Sequence, residues 1–330
     1  MTSIVGNAAA HAAFLEAATG PALHHAWLIA GPEGVGKMTF ARVAALRLLA
    51  EAAAPGTLPS TLQVPSDNRI ATLFAAGSHP DYRELVRRPQ DPDKPDKGLA
   101  RGIKIDQVRA LMPMLATKPA LHERRVIVID PIDLLEREAA NALLKSLEEP
   151  PTGTVFLLVS HAPGRLLPTI RSRCRLLRFE RLSDADVGRV LAREMPELDS
   201  EEVATLVRAS GGSPGRAMRF AGLDLAAIEA DLAAIAADGD PANTRRVRLS
   251  KAFAGKAAQE RFEAFLERAP ALIAERAQSF TGGALREALD AYDAAVELAR
   301  MSLGHSLDAS TTAFEMGGLV ARLAKRDRTD

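Results

Sequence analysis

The residues best suited to chemistry run from Gly31 to Lys37, in the order Gly-Pro-Glu-Gly-Val-Gly-Lys. In the pattern G-x-x-x-x-G-K-[ST], glycines let successive backbone N–H groups converge on phosphate oxygens. The lysine reaches the outer phosphates, and the closing hydroxyl holds Mg²⁺. Gly31, Gly34, Gly36 and Lys37 are in place, but Met38 stands where the hydroxyl belongs. Thr39 offers a hydroxyl one position later, about 100° further round a helix, so it could substitute only with local distortion. A phosphate-cleaving site also needs an acid for the metal and a carboxylate or amide to orient water. Asp130 supplies the acid at the end of the apolar run Val126-Ile127-Val128-Ile129, yet its neighbour is Pro131 and the next acid is Asp133. Two catalytic positions are therefore vacant. Nucleotide occupancy stays open, as does the choice for Asp130 between metal ligand and cap of the following helix.

These residues need a strand, a loop and a helix to position them. Ala26 to Ala30 reads as a buried strand, and Phe40, Val43, Ala44 and Leu48 make one apolar helical stripe after the loop. Tyr82 to Val86, Val126 to Asp130 and Thr154 to Ser160 read as further strands. Ile105 to Ala116 reads as a helix kinked or shortened by Pro113. Between the last two strands, Glu138 to Leu147 is helical, with Ala139, Ala140, Leu143, Leu144 and Leu147 on one face and Pro150-Pro151 as its stop. Alternating strands and helices predict a parallel α/β sheet flanked by helices. Residues 51–80 and 88–98, rich in proline with glycine, serine or charge, read as exposed connections.

From residue 183 the strand signal ends. Ser183 to Asp186 opens a helix with Val187, Val190 and Leu191 inward, by a short-acid capping box. Asp199 to Ala209 gives a second helix, Gly211-Gly212 ends it, and Ser213-Pro214 opens a third. Beyond residue 223 the chain reads as all-helical. Leu285, Leu289, Tyr292, Val296, Ala299 and Leu303 form its clearest stripe, expected to be internal core.

Composition narrows the function. The 330 residues carry 42 basic and 42 acidic side chains, so no global field draws the chain onto nucleic acid or membrane. One tryptophan and two tyrosines provide no basic-aromatic platform for single strands. The sole cysteine, Cys174, excludes an internal disulfide and a cysteine-built zinc site, and fits a reducing compartment. No secretory leader or run of 18 apolar residues is found, so a cytoplasmic location without membrane contact is expected. His24, His25, His79 and His122 lack ligand-like spacing.

Further motifs carry a family resemblance. Asn141-Ala142-Leu143-Leu144-Lys145-Ser146-Leu147-Glu148-Glu149-Pro150, Arg171-Ser172-Arg173-Cys174 and Gly212-Ser213-Pro214-Gly215-Arg216 resemble bacterial sliding-clamp loader subunits of the AAA+ class. His25 to Leu28, His79-Pro80-Asp81 and Ile105 to Arg109 are similar too, and the likeness runs in register over roughly residues 4 to 220. The resemblance implies an AAA+ nucleotide-fold domain over 1–180, a helical lid over 181–222 and a helical collar over 223–330. It implies a ring with delta and three gamma/tau subunits that opens the beta sliding clamp and places it on primed DNA, within a DNA polymerase (nucleotidyltransferase) holoenzyme.

A defective loop beside an intact Ser-Arg-Cys is similar to a subunit without ATP turnover of its own. By resemblance Arg173 is an arginine finger acting in trans on a gamma/tau site; its alternative is a surface arginine in a basic run with Arg165, Arg171, Arg175, Arg178 and Arg181. Arg216 matches a second sensor arginine or serves as a hinge contact. Ser160 and His161 fall where relatives present a polar first sensor. Cys174 is a reactive thiol or, as favoured, a packed one. Many relatives carry a four-cysteine zinc module; residues 51–80 hold no cysteine, so no zinc is expected, and ATP or ADP in the degenerate site is the one cofactor to consider. The competing class is a working AAA+ ATPase, a gamma/tau-type motor or helicase loader, in which Thr39 and Asp133 rescue the lost groups. A nucleotide-binding signalling protein is a third reading, resting on the loop alone.

Overall fold

A computed structural model describes residues 4–20, 23–91, 93, 98–255, 258–305 and 307–325. The chain divides into two compact units, Met1–Arg193 with Gly211–Arg216, and Glu194–Ser210 with Ala217–Asp330.

The first unit is built on a five-stranded parallel sheet. Its chain order is α1 (Ala8–Thr19), β1 (Ala26–Ala30), α2 (Lys37–Ala53), α3 (Arg69–Ala75), β2 (Tyr82–Val86), α4 (Ile105–Arg109), α5 (Met112–Leu115), β3 (Arg125–Asp130), α6 (Arg137–Glu148), β4 (Thr154–Ser160), α7 (Pro168–Arg171), β5 (Arg175–Arg178) and α8 (Asp184–Glu194). The spatial order is β2-β3-β4-β1-β5, with all neighbours parallel. Successive side chains on a strand point to opposite faces. Leu28, Ile127, Ile129, Phe156 and Leu158 therefore share one face, packed with Val108 of α4, Leu143 and Leu147 of α6 and Ile170 of α7. On the other face Trp27 meets Phe14 of α1 edge-on at 5.0 Å, and Phe14 meets Phe40 of α2 at 5.4 Å. This three-layer arrangement is the predicted α/β class.

Several local expectations shift. The helix predicted over 105–116 is two short helices that break at Ala110–Leu111, just before Pro113. Residues 51–80 are more than a connection: α3 lies within them, opened by Asn68 accepting from the Ile70 N–H at 2.8 Å, and Leu62, Val64 and Ile70 are buried. Proline and glycine density outweighed this short apolar signal. Helix α1 went unpredicted because its composition is mostly alanine. The 88–98 connection falls partly outside the described residues.

The second unit is helical. It contains α9 (Ser200–Ser210), most of α10 (Pro214–Phe220), α11 (Leu225–Asp238), α12 (Thr244–Ala252), α13 (Gln259–Ala277), α14 (Gly282–His305) and α15 (Ala309–Ala321). Phe253, Phe262 and Phe265 cluster in its core with centroids 4.9 and 5.7 Å apart. The stripe predicted on α14 is overturned. Leu289, Val296 and Leu303 are exposed, and the face turned inward is Ala288, Ala291, Ala295 and Ser302. Small side chains let α13 and α15 approach closely, and the larger apolar residues are left outside.

Candidate functional site

The carboxyl ends of β1, β3 and β4, adjacent in the sheet, bring the loop, Asp130, Ser160 and His161 together, as expected of open parallel sheets. Gly36 has φ 93° and opens α2, so the N–H groups of the first helical turn face the loop. An added Cβ at Gly36 would meet nothing within 4 Å, which leaves the cradle open at that point. Lys37 is only 3% exposed and turns back on its own loop, donating to the Gly31 carbonyl at 2.7 Å and to that of Pro32. Burial pushes its ammonium down to about 8, partly opposed by Asp130, Glu33 and Asp133. Asp130 shows the converse: burial raises its carboxyl, and His161, Lys37 and Arg42 pull it down. Its Oδ1 is buried without a hydrogen bond, so it does not cap the next segment through that atom. Burial, reinforced by Lys37, lowers the His161 imidazole.

Asp133 has a different task from the one considered for it. Its carboxylate accepts from the Ser160 hydroxyl at 2.7 Å, the His161 N–H at 2.5 Å and the Ala162 N–H at 3.3 Å. It ties down the end of β4 and has little left for a metal or a water. Asp133 is thus engaged in holding the end of β4, which spacing along the chain could not reveal because its partners lie 27 to 29 residues away. Thr39 follows in the first turn of α2, partly buried. The groups present suit a phosphate: backbone N–H groups, a lysine and the open Gly36. They do not suit Mg²⁺, since Met38 contributes a thioether where a hard cation needs oxygen.

The loop tip carries a latch that motif reading missed. Ser213 donates its hydroxyl to the Glu33 carbonyl at 2.8 Å and accepts from the Arg216 N–H at 3.3 Å, while the Gly215 N–H reaches the Gly34 carbonyl at 2.9 Å. The backbones approach so closely that a Cβ on Gly34, itself at φ +76°, would lie 2.3 Å from the Ser213 hydroxyl. The backbone of Arg216 is thereby brought to the loop.

Arg173 lies apart from this cluster, in the turn between α7 and β5. Its Nη1 donates to the Thr169 carbonyl at 2.8 Å and the Ser172 hydroxyl at 3.3 Å, and its Nη2 pairs with Glu148 Oε1 at 2.9 Å. Cys174 beside it is partly buried, its thiol donates to the Ile170 carbonyl, and burial pushes it up to about 12. It is a packing residue.

The His-Pro-Asp motif is likewise structural. Asp81 is fully buried, accepts from the Ala120 and Leu121 N–H groups at 2.8 and 2.9 Å, and pairs with buried Arg125 at 3.4 Å. His24 and His25 stack at 4.5 Å, and His25 Nε2 bonds the Leu147 carbonyl. Among the described residues no cluster of histidine, cysteine and carboxylates could hold a metal ion.

With this geometry in view, a family model described as "DNA polymerase III, delta subunit" matches residues 6–183, more than half of the chain. The chain belongs to this family. Among relatives, it is 40% identical over 198 residues to DNA polymerase III subunit delta' of Pseudomonas aeruginosa, covering 60% of this chain and 56% of that one. The delta' subunit of Escherichia coli is 34% identical over 195 residues, covering 59% and 54%. The gamma subunit of Buchnera aphidicola is 32% identical over 165 residues, covering 50% and 40%. The chain thus matches about half the length of these curated relatives. Membership of the delta-subunit family bears out the resemblance carried by the Leu-Glu-Glu-Pro and Ser-Arg-Cys motifs. Among the described residues, no helix is long and apolar enough to cross a membrane.

Proposed function

We propose that this chain is a delta-prime-type subunit of a DNA polymerase III clamp loader that keeps the architecture of an ATP site without turning ATP over, and lends Arg173 to its neighbour. The observation that carries this is the commitment of Asp133. With Pro131 beside Asp130 and Met38 at the hydroxyl position, Asp133 is the acid considered for restoring the site, and three donors of the β4 end already occupy most of its acceptor capacity. Arg173 is ordered and partly exposed on a separate turn, as a group acting on another subunit requires. Fingers of this kind contribute roughly 10³ to 10⁵ in rate.

On this reading the subunit joins delta and three gamma/tau subunits in a five-membered ring that opens the beta clamp and seats it on primed DNA. Residues 1–180 form the nucleotide-fold domain, 181–222 the lid and 223–330 the collar. The exposed apolar face of α14 suits a collar helix that packs against other subunits. Arg216 acts as a lid contact on the loop, and neither zinc nor Mg²⁺ is required. Reconstitution with cognate delta, gamma/tau, clamp and primed DNA tests the proposal. Arg173→Ala is expected to cripple ATP hydrolysis and loading, and unchanged rates would refute the finger.

A working ATPase is the second reading, favoured by the intact Lys37 and the similarity to a gamma subunit. It predicts that the purified chain hydrolyses ATP and loses that activity on Lys37→Ala. Calorimetry of ATP into the isolated chain measures any residual binding.

A further inference from the structure

We propose that Glu148 is a positioning residue for Arg173, holding its guanidinium in the pose from which it acts on the neighbouring subunit's nucleotide. The proposal rests on the finger role given to Arg173 above.

A long arginine side chain at a turn samples many rotamers, and a group that must meet a phosphoryl oxygen in another subunit gains from being fixed beforehand. Two of the three acceptors around Arg173 are local: the Thr169 carbonyl and the Ser172 hydroxyl lie within four residues and engage Nη1. They anchor one nitrogen. Glu148 is the acceptor from a different element, and it takes Nη2 at 2.9 Å. Contacts at two nitrogens from two directions fix the plane of the guanidinium, which a single anchor leaves free to rotate. A guanidinium has five N–H donors, so donors remain for an external phosphate.

The platform beneath Glu148 is rigid. It is the last residue of α6, whose Ala139, Leu143 and Leu147 are buried in the core, and Pro150-Pro151 follow after the single residue Glu149. That end of a helix carries partial negative charge and disfavours a carboxylate. The helix itself therefore gives no reason for an acid there, whereas the guanidinium opposite does. Stability is no explanation either. The two side chains are 34% and 46% exposed, and ion pairs so open to water contribute little to folding. What the pair does supply is orientation.

The test uses the fully assembled loader with clamp and primed DNA, reading the phase of single-turnover ATP hydrolysis that belongs to the site facing this subunit. Arg173→Ala identifies that phase by removing it. Glu148→Gln, isosteric but uncharged, is expected to slow the phase about tenfold with ATP affinity and melting temperature unchanged. Glu148→Asp, which restores the charge, is expected to recover part of the rate. In the Arg173→Ala background Glu148→Gln is expected to cost nothing further, since a positioning residue has no role without the group it positions. A wild-type or faster rate for Glu148→Gln overturns the proposal and leaves the finger standing. So does a loss that persists without Arg173. If Arg173→Ala leaves every phase unchanged, the finger role itself falls, and this proposal falls with it.

Discussion

The loop around Lys37 and the turn around Arg173 each present one strong cation, and the two are satisfied in opposite ways. Lys37 is buried and donates to carbonyls of its own loop, so its charge is spent locally and its proton is held loosely. Arg173 is a third exposed, tied through two nitrogens, and keeps donors for something outside the chain. The same contrast holds for the acids: Asp133 closes on three donors of its own unit, whereas Glu148 faces solvent beside the arginine it holds. On the function proposed above, the nucleotide pocket is retired into the scaffold while a turn on the same sheet stays available for chemistry in a neighbouring subunit.

The sharpest way to break this contrast is to exchange the two cations' effects in the assembled loader. Arg173→Ala is expected to lower hydrolysis at the adjoining site by roughly 10³ or more, while Lys37→Ala leaves it unchanged; a single-turnover assay that showed the reverse would invert the assignment. Proton uptake gives the next largest signal. Folded Lys37 loses its proton near pH 8 and the unfolded residue near 10.5, so the unfolded chain binds more protons between these values. Stability of the unliganded chain should therefore rise across that window, by at most about 3 kcal/mol, and Lys37→Met should flatten the rise in denaturant melts at several pH values. Phosphate affinity should fall over the same range, because the neutral amine no longer pairs with an anion. Asp133→Ala strips the β4 end of its shared acceptor and should cost about 2–3 kcal/mol in urea unfolding. A neutral result would return Asp133 to the list of groups free for catalysis. Smallest of all, Leu289→Glu on the exposed face of α14 should change the stability of the isolated chain by less than about 0.5 kcal/mol, while weakening assembly measured by light scattering.

The three inner strands were legible because they are buried on both faces and read as continuous apolar runs, whereas the edge strand Tyr82–Val86 is largely unburied. Ala26–Ala30, Tyr82–Val86 and Thr154–Ser160 fall where the sequence placed them. The α14 surface was misread for a physical reason. Size dominates a hydrophobicity stripe, but a tightly packed helix can bury its alanines and leave its leucines outside. The partners of Asp133, Asp81 and Ser213 were illegible because they lie 27 to 180 residues away and are often backbone groups, which carry no residue-type signal. Loop, acid strand and Ser-Arg-Cys were legible as local patterns; what holds them was not.

The close approach of Gly34 and Gly215 bears on how such motifs are interpreted. With a Cβ at either position striking the other strand of the latch, both glycines are demanded by protein–protein contact inside one unit, whether or not phosphate ever enters. A glycine pattern of this kind would survive the loss of its ligand for steric reasons alone. Its diagnostic value for nucleotide binding is correspondingly lower than that of position 38, where Met stands in place of the hydroxyl that a magnesium-bound nucleotide needs.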